Sequence, residues 1–543
     1  MIGGRAAHSI RNTATACPAT SATPETTRLP SLTLTIVQVL AWVSMNTDTA
    51  SRAGRRQWAG LAVLVLPTLL ASLELTLPNL ALPAISQDLS PSAAQSLWIV
   101  DIYGFLLAGS LITMGTLGDR IGRRRMLLIG SAAFGLASVL AAYSVNAEML
   151  IATRALLGIA GATLMPSSLS LAATIFRDPR QRTVAIGIII ACVAGGTAIG
   201  PLLGGWILQH FRWGAVFLIA VPVTAVFLVI GPLLLPEHRE TRARKMDPLS
   251  AVMSVVAVLT VIYGLKSFAE HGLGVAGVVS IVVGLTVAVL FVWRQRTLAH
   301  PLMDLRLFRS PSFSVSLATL LFGVFVLFGV NFYLAQYLQL VFGLSPLHAG
   351  LWTAPAACGV IVGSTLAPVL VRRVPPGMVV GTGLLLSAAG FLVLTQVTPA
   401  GGLPVLVIGS VVVSAGLGPM MTLTTDMVVG SAPADRAGEA SALSETAPEL
   451  GGALGIAVLG SVGTAIYSGM DIPPGVPAEA AETARSTLSG AISVAAQSPA
   501  PIGVELLAAA RAAFTEGLHL IAGISTAVLV ITAALFALLV RRS

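Results

Sequence analysis

Charge is scarce in this sequence. Only 10% of its 543 residues are Asp, Glu, Lys or Arg, where a soluble chain carries about a quarter. With a mean hydropathy of +0.89 and 55% hydrophobic residues, a set of soluble domains is excluded and lipid is the solvent. Lysine is almost missing: Lys245 and Lys266 are the only two, against abundant arginine, a composition that points to a G+C-rich bacterial genome. Aromatic residues make up 6%, so the apolar mass is Ala, Val, Leu and Ile with 54 glycines, as in closely packed membrane helices. The three cysteines, Cys17, Cys192 and Cys358, form no CxxC or Cys/His cluster, which removes a disulfide framework and a metal site from consideration. There is no GxxxxGK[ST], which argues against direct use of ATP, and no HExxH. A GxGxxG does occur at His271 to Gly277, but at the edge of an apolar window and without the strand a dinucleotide site needs. The net charge of +8 is spread over short loops, so nucleic acid is not a partner.

What the chain has in quantity is apolar runs of about twenty residues, enough for a helix to cross a bilayer. They fall at 58–84, 97–117, 126–145, 149–175, 183–208, 213–235, 248–266, 273–293, 313–341, 346–371, 378–397, 402–429, 438–467 and 518–540, fourteen windows in all. Arginine placement tests the count, because one missed helix would invert every later loop. With the amino terminus inside, Arg120, Arg123 to Arg125, Arg177, Arg180, Arg182, Arg239, Arg242, Arg244, Lys245, Arg294, Arg296, Arg306, Arg309, Arg372, Arg373, Arg436, Arg541 and Arg542 share the cytoplasmic side. The other side keeps Arg212, Lys266, Arg485 and Arg511.

The expected organisation is therefore an all-α integral membrane protein of the plasma membrane, multi-pass, with both termini cytoplasmic. A cytoplasmic segment spans 1–57, one six-helix bundle 58–235, a linker with two extra helices 236–312, and a second six-helix bundle 313–543 with a long extracellular loop at 469–516. Within that loop, 477–497 reads as amphipathic surface helix. Residues 1–44, rich in Thr, Pro and Ser ahead of Met45, read as a disordered or untranslated extension. Pro179-Arg180-Gln181-Arg182 before the fifth window and Pro433-Ala434-Asp435-Arg436 before the thirteenth mark a weak internal repeat, as two halves that rock against each other would show.

Four groups of residues carry chemistry. The loop from Gly115 to Arg125 holds Gly115, Asp119, Arg120, Gly122, Arg123 and Arg124, an acid at a helix end inside a basic turn that can exchange partners when halves move. The bland alternative is a basic loop that sets topology. The fifth window carries Gly196, Gly200, Pro201, Gly204 and Gly205, a flat glycine face with a proline that removes a backbone bond and is expected to kink the helix. Arg154 lies inside the fourth window, where an arginine costs at least ~2.5–3.5 kcal/mol and must find partners or water. A structural ion pair is the alternative to a coupling role. Finally, Glu74, Asp101, Glu445 and Glu449 interrupt otherwise apolar windows, the last two on one helix face, where they could bind protons or neutralise a lipophilic cation. Helix capping is the rival reading for Asp101 and Glu445.

The order Gly-x-Leu-x-Asp-Arg-x-Gly-Arg-Arg resembles the signature loop between the second and third helices of the major facilitator superfamily. Leu150 to Gly158 resembles its arginine motif, and Gly-Pro-x-x-Gly-Gly the motif of its exporting antiporters. Leu97-Trp98-Ile99-Val100-Asp101-Ile102-Tyr103, Leu73 to Thr76, Ala81-Leu82-Pro83 and Ser444 to Gly451 are similar to the fourteen-helix drug:proton antiporters, particularly the QacA-type exporters of quaternary ammonium compounds and dyes. The resemblance runs from about residue 55 to the carboxyl end. It implies two pseudo-symmetric six-helix bundles plus two central helices, working as a monomer without cofactors, with the proton gradient as energy source and lipophilic cations as substrates. It also implies proton coupling through Glu74, Asp101 and Arg154, and substrate binding by Glu74, Glu445 and Glu449. Two departures stand out: Glu74 occupies a place where family members often have aspartate, and the tenth window has no acid. A dedicated exporter of one endogenous antibiotic, a nutrient importer and, from another class, a polytopic membrane enzyme remain as alternatives, though no nucleophile or donor-binding motif has the spacing an enzyme needs.

Overall fold

The computed structural model describes residues 53–91, 93–237, 247–271, 274–298, 301–399, 401–433 and 436–540. The extension 1–44, the linker residues Arg239, Arg242, Arg244 and Lys245, and Arg541 and Arg542 lie outside the described residues.

Every regular element among the described residues is helical. The first half comprises α1 (Arg55–Glu74), α2 (Leu77–Leu89), α3 (Ala93–Ile121), α4 (Arg123–Ala142), α5 (Ala147–Ile175), α6 (Pro179–His210), α7 (Ala215–Leu218) and α8 (Ala220–Leu234). The extra pair is α9 (Pro248–His271) and α10 (Val275–Thr297). The second half has α11 (Pro311–Gln336), α12 (Pro346–Leu370), α13 (Pro376–Leu394), α14 (Leu403–Ser431), α15 (Ala437–Ser468), two short helices α16 (Ala478–Ser486) and α17 (Leu488–Gln497), and α18 (Ala500–Val540). Thirteen spans among the described residues are long and apolar enough to cross a membrane. The fifth window lies within α6, 32 residues long, and a count of fourteen is consistent with it.

The helices start where their sequences cap them. Asn146, Asp178, Ser310 and Ser345 accept backbone N–H bonds from the first turns, and Pro179, Pro311, Pro346 and Pro376 open helices where a missing N–H costs nothing. Three windows differ from expectation. The first, read as one helix, is interrupted between Glu74 and Leu77. Pro78 has no N–H to give the carbonyl of Glu74, so the ladder fails there. The ninth ends in a π turn, Tyr337–Val341. The last begins at Ala500, so part of the segment read as extracellular loop is the start of a 41-residue helix. The expected kink at Pro201 does not break α6, which continues from Pro179 to His210.

Two separate cores define two bundles. One is built from Leu61 to Leu235, the other mainly from Leu302 to Phe536, with Ile112, Ala251 and Phe291 at its margin. The extra pair is peripheral: Val275, Val279, Val282 and Val289 of α10 face outward as a sheet of valines suited to lipid, while α9 packs on α3 through Thr113 Oγ1 and Ser254 Oγ at 3.3 Å. A smaller cluster of Phe105, Ala108 and Ile262 with Ala453 joins α3, α9 and α15.

Candidate functional site

The centre of the first bundle is organised by Arg154, only 2% exposed. Gly158 and Gly161 of α5 face Tyr103 and Leu107, and a Cβ at Gly158 would lie 3.1 Å from Leu106 Cβ, so glycine brings α3 close enough for the guanidinium to reach it. Arg154 Nε donates to Ile99 O at 2.7 Å, Nη2 to Val100 O at 2.9 Å and Nη1 to Glu74 Oε1 at 2.6 Å. Its guanidinium lies over the Tyr103 ring, 5.2 Å from the centroid, and the Tyr103 hydroxyl donates to Ala71 O at 3.2 Å. Asp101 is half-buried and within electrostatic reach of Arg154. The structure thus brings the three residues expected for proton coupling into one cluster, with Glu74 at the break between α1 and α2. The charges of Glu74 and Arg154 compensate each other, and removing one partner of such a pair costs about 3–5 kcal/mol.

Glu445 and Glu449 occupy one face of α15, half-buried and close enough to interact. Glu449 is also within electrostatic reach of Tyr103 in the first bundle's cluster. Glu74, also expected in the substrate site, is 4% exposed and engaged with Arg154.

On the arginine-rich side, Asp119 is held by Arg123 Nε at 2.9 Å and accepts the backbone N–H groups of Gly438 and Glu439, the start of α15 in the other bundle. An anion at a helix N-terminus satisfies donors that have no partner within the helix. Gly115 makes this approach possible: a Cβ there would lie 2.6 Å from both Ala442 Cβ and Gly438 O. Arg123 is buried, donating to Thr174 Oγ1 at 2.7 Å and Ser170 O at 3.3 Å; Arg124 Nη1 bonds Leu235 O at 3.1 Å and its Nε faces Glu237 at 3.3 Å. Gly122 has φ +110°, a conformation that favours glycine, and the Glu237 carboxyl fills the space a side chain would need. Arg120 is half-buried in the same turn.

The glycine face of α6 meets α1 and α2. Cβ atoms at Gly196 and Gly200 would each lie 3.2 Å from the Cβ of Ser72 and of Thr76, and one at Gly204 would lie 2.8 Å from Leu77 Cδ2. Gly205 meets nothing within 4 Å, so packing does not explain it, and the side chain of Pro201 is outside the described positions.

Several members of the site are not among the residues expected from the sequence. Glu439 accepts the backbone N–H of Asp304, and Arg436 bridges Asp304 at 3.3 Å and Glu439 at 3.1 Å, so the loop after the extra pair docks on the start of α15. Gln295 holds that loop by accepting the Leu302 N–H at 2.6 Å. Asp426, an acid in an apolar window like Glu74, Asp101, Glu445 and Glu449, bonds Arg182 and Thr183 of the other bundle.

Comparison with known proteins fits this geometry. Residues 64–456 match the family model described as Major Facilitator Superfamily. The chain is 42% identical to the multidrug efflux pump LfrA of Mycolicibacterium smegmatis, covering 92% of this chain and 99% of that protein. It is 35% identical to the methyl viologen resistance protein SmvA of Salmonella typhimurium over 84% of this chain and 93% of that one. It is 33% identical to a tetracenomycin C resistance and export protein of Streptomyces glaucescens, covering 91% and 93%. Among solved structures its fold is similar to that of the human organic anion transporter MFSD10, with a TM-score of 0.56 at 15% identity, covering 88% of this chain and 99% of that one.

Proposed function

This chain belongs to the Major Facilitator Superfamily, and we propose that it is a multidrug efflux antiporter that spends the proton gradient to export lipophilic cations. The observation that carries the reading is its near full-length similarity to a multidrug efflux pump, 42% identical across 92% of the chain. The class of substrate is supported from two sides. Glu445 and Glu449 offer two carboxylates one helical turn apart in a largely apolar setting, where a bound cation relieves their repulsion. A relative is named for resistance to methyl viologen, an aromatic dication.

In this reading the arginine-rich side is cytoplasmic, both termini are inside the cell, the protein sits in the plasma membrane, and the monomer is the working unit. The functional divisions are the bundles 58–235 and 313–543 with the extra pair between them. The state described is closed at the cytoplasmic ends, where Asp119 meets α15. A proton arriving from outside reaches Asp101 and the Glu74–Arg154 pair; neutralising Glu74 weakens its hold on Arg154, and the rearranged guanidinium alters how α3 and α5 sit, which couples protonation to movement of the bundle. Glu74 is assigned to coupling, and the cation site to Glu445 and Glu449.

The test is transport by purified protein in vesicles carrying an imposed pH gradient and no ATP, with ethidium as the probe. Accumulation that collapses with a protonophore is the expected outcome. A requirement for ATP, or indifference to the gradient, refutes the proposal.

A further inference from the structure

The cytoplasmic-side closure around Asp119 has a counterpart across a different pair of helices. Asp426 of α14, 8% exposed, accepts from Arg182 Nε at 2.6 Å on one carboxylate oxygen and from Thr183 Oγ1 at 2.7 Å on the other. Both donors belong to the first turns of α6, in the opposite bundle. The backbone around them is built for the contact. A Cβ at Gly430, one turn beyond Asp426, would sit 2.6 Å from Arg182 Nη2, so glycine leaves room for the guanidinium to lie along α14. One turn deeper on α6, a Cβ at Gly187 would be 2.7 Å from Ser364 O of α12 and 3.3 Å from Thr422 Cγ2 of α14. α6 therefore lies directly against α14 at this acid and against α12 one turn deeper, with no space for an intervening layer.

The two closures are reciprocal. Asp119 is a first-bundle acid received by donors of the second bundle; Asp426 is a second-bundle acid received by donors of the first. We infer that Asp426, with Arg182 and Thr183, is a second lock on the cytoplasmic side, and that both locks must open before substrate can load from that side. Asp426 is a positioning residue: it touches no substrate in this arrangement and acts by holding α6 against α14. The bidentate arrangement matters, because a carboxylate that takes one donor on each oxygen fixes both the distance and the rotation of the facing helix. An asparagine in its place, neutral and with a single acceptor oxygen, would hold neither as firmly.

The inference rests on the transporter reading, but its test does not depend on what is carried. Full-length protein with Cys17, Cys192 and Cys358 replaced by serine, and shown to keep the melting temperature of the parent, receives a reporter cysteine by Ile190→Cys, a buried position on α6 deeper than the lock. Labelling of that cysteine by an impermeant maleimide from the arginine-rich side is then measured in reconstituted vesicles. Asp426→Asn is expected to raise the labelling rate at least tenfold, and to lower the substrate KM on that side while the maximal rate falls. Arg182→Lys, which keeps the charge and loses the guanidinium geometry, is expected to fall between. Exchanging the charges by Arg182→Asp with Asp426→Arg is expected to return labelling to within threefold of the parent, although each single exchange does not. If Asp426 merely stabilised the fold, Asp426→Asn would lower the melting temperature and the maximal rate with KM and labelling unchanged, which overturns the inference, as does a double exchange that fails to restore slow labelling. A vesicle that transports nothing at all, with labelling still responding to Asp426→Asn, would refute the efflux reading and leave the lock standing.

Discussion

Replacing Gly115 by alanine adds one methyl group at a tight crossing between the two bundles, and the geometry there sets the size of the effect. The new Cβ would lie 2.6 Å from Ala442 Cβ and 2.6 Å from Gly438 O. Carbon atoms in contact sit about 3.5–4.0 Å apart, so α3 and α15 must part by about 1 Å. Asp119 is one turn from Gly115 and holds the N–H groups of Gly438 and Glu439. Hydrogen bonds to a charged group contribute about 1.5–3 kcal/mol each, and stretching two of them by about 1 Å forfeits roughly half their combined value, about 2 kcal/mol. At about 1.4 kcal/mol per tenfold, the closed state loses about thirty-fold in population relative to one open at this side. The assay is the distance between spin labels placed by Arg180→Cys and Met378→Cys, both exposed on opposite bundles at the arginine-rich ends. The wider distance should become the major population in Gly115→Ala, and Ala442→Gly on top should recover part of the closed state, since the Gly438 carbonyl contact remains. An unchanged distance distribution in a well-folded Gly115→Ala protein would refute the reasoning, because it would mean the crossing absorbs a methyl group without loosening Asp119.

Three further outcomes are expected. Asp101→Asn should abolish transport driven by a pH gradient, whereas Asp119→Asn should slow it while leaving a measurable gradient response; equally mild effects at matched expression would contradict the assignment of Asp101 to coupling. Ethidium and compact dications should be exported better than the long dication chlorhexidine, because Glu445 and Glu449 are one turn apart and α12 offers no acid to a distant second charge; Cys358→Asp should improve chlorhexidine export selectively, and equal export by the unmodified protein would count against this charge logic. Cys358 suits that acid because it is exposed one turn from Ile361, which faces Gly195 of the first bundle. Asp247, just ahead of α9, is held well below the usual carboxylate range by hydrogen bonds from Arg294 and then Ser250. A depressed value in the folded state means stabilisation that is present above the unfolded value of about 3.9 and lost as pH falls further. Solvent screens the pair, so Asp247→Asn should cost only about 1 kcal/mol at pH 7 and progressively less below pH ~4, read as melting temperature against pH.

The all-helical, many-span membrane architecture was legible because it rests on short-range signals. Apolar length marks a span, arginine asymmetry marks a side, and a charge inside an apolar window must find a partner whatever the tertiary arrangement. Such charges single out Glu74, Asp101 and Arg154 one by one; the resemblance to the drug:proton antiporters groups them, and the structure brings them together. The inter-bundle contacts were not legible in the same way. Asp426 meets the same criterion as Glu445, an acid within an apolar window, yet its place near a helix end makes it look like a group that water can reach; only the arrival of Arg182 and Thr183 from 243 or more residues away turns it into a contact. Gly438 and Glu439 were equally silent, because a helix N-terminus presents donors without any side-chain signature. The break after Glu74 could have been inferred, since Pro78 stands four residues beyond that carbonyl, but the uninterrupted hydropathy of the window concealed it. The difference has a functional side. Residues that bind protons or cations must carry charge into lipid and so stand out in composition, whereas residues that report the state of the transporter act by proximity, through glycines that leave room and backbone groups that carry no net charge. Gly115, marked by the signature loop, is where the two bundles come close enough for Asp119 to act, whereas Gly187 and Gly430, which belong to no motif, do the same for Asp426.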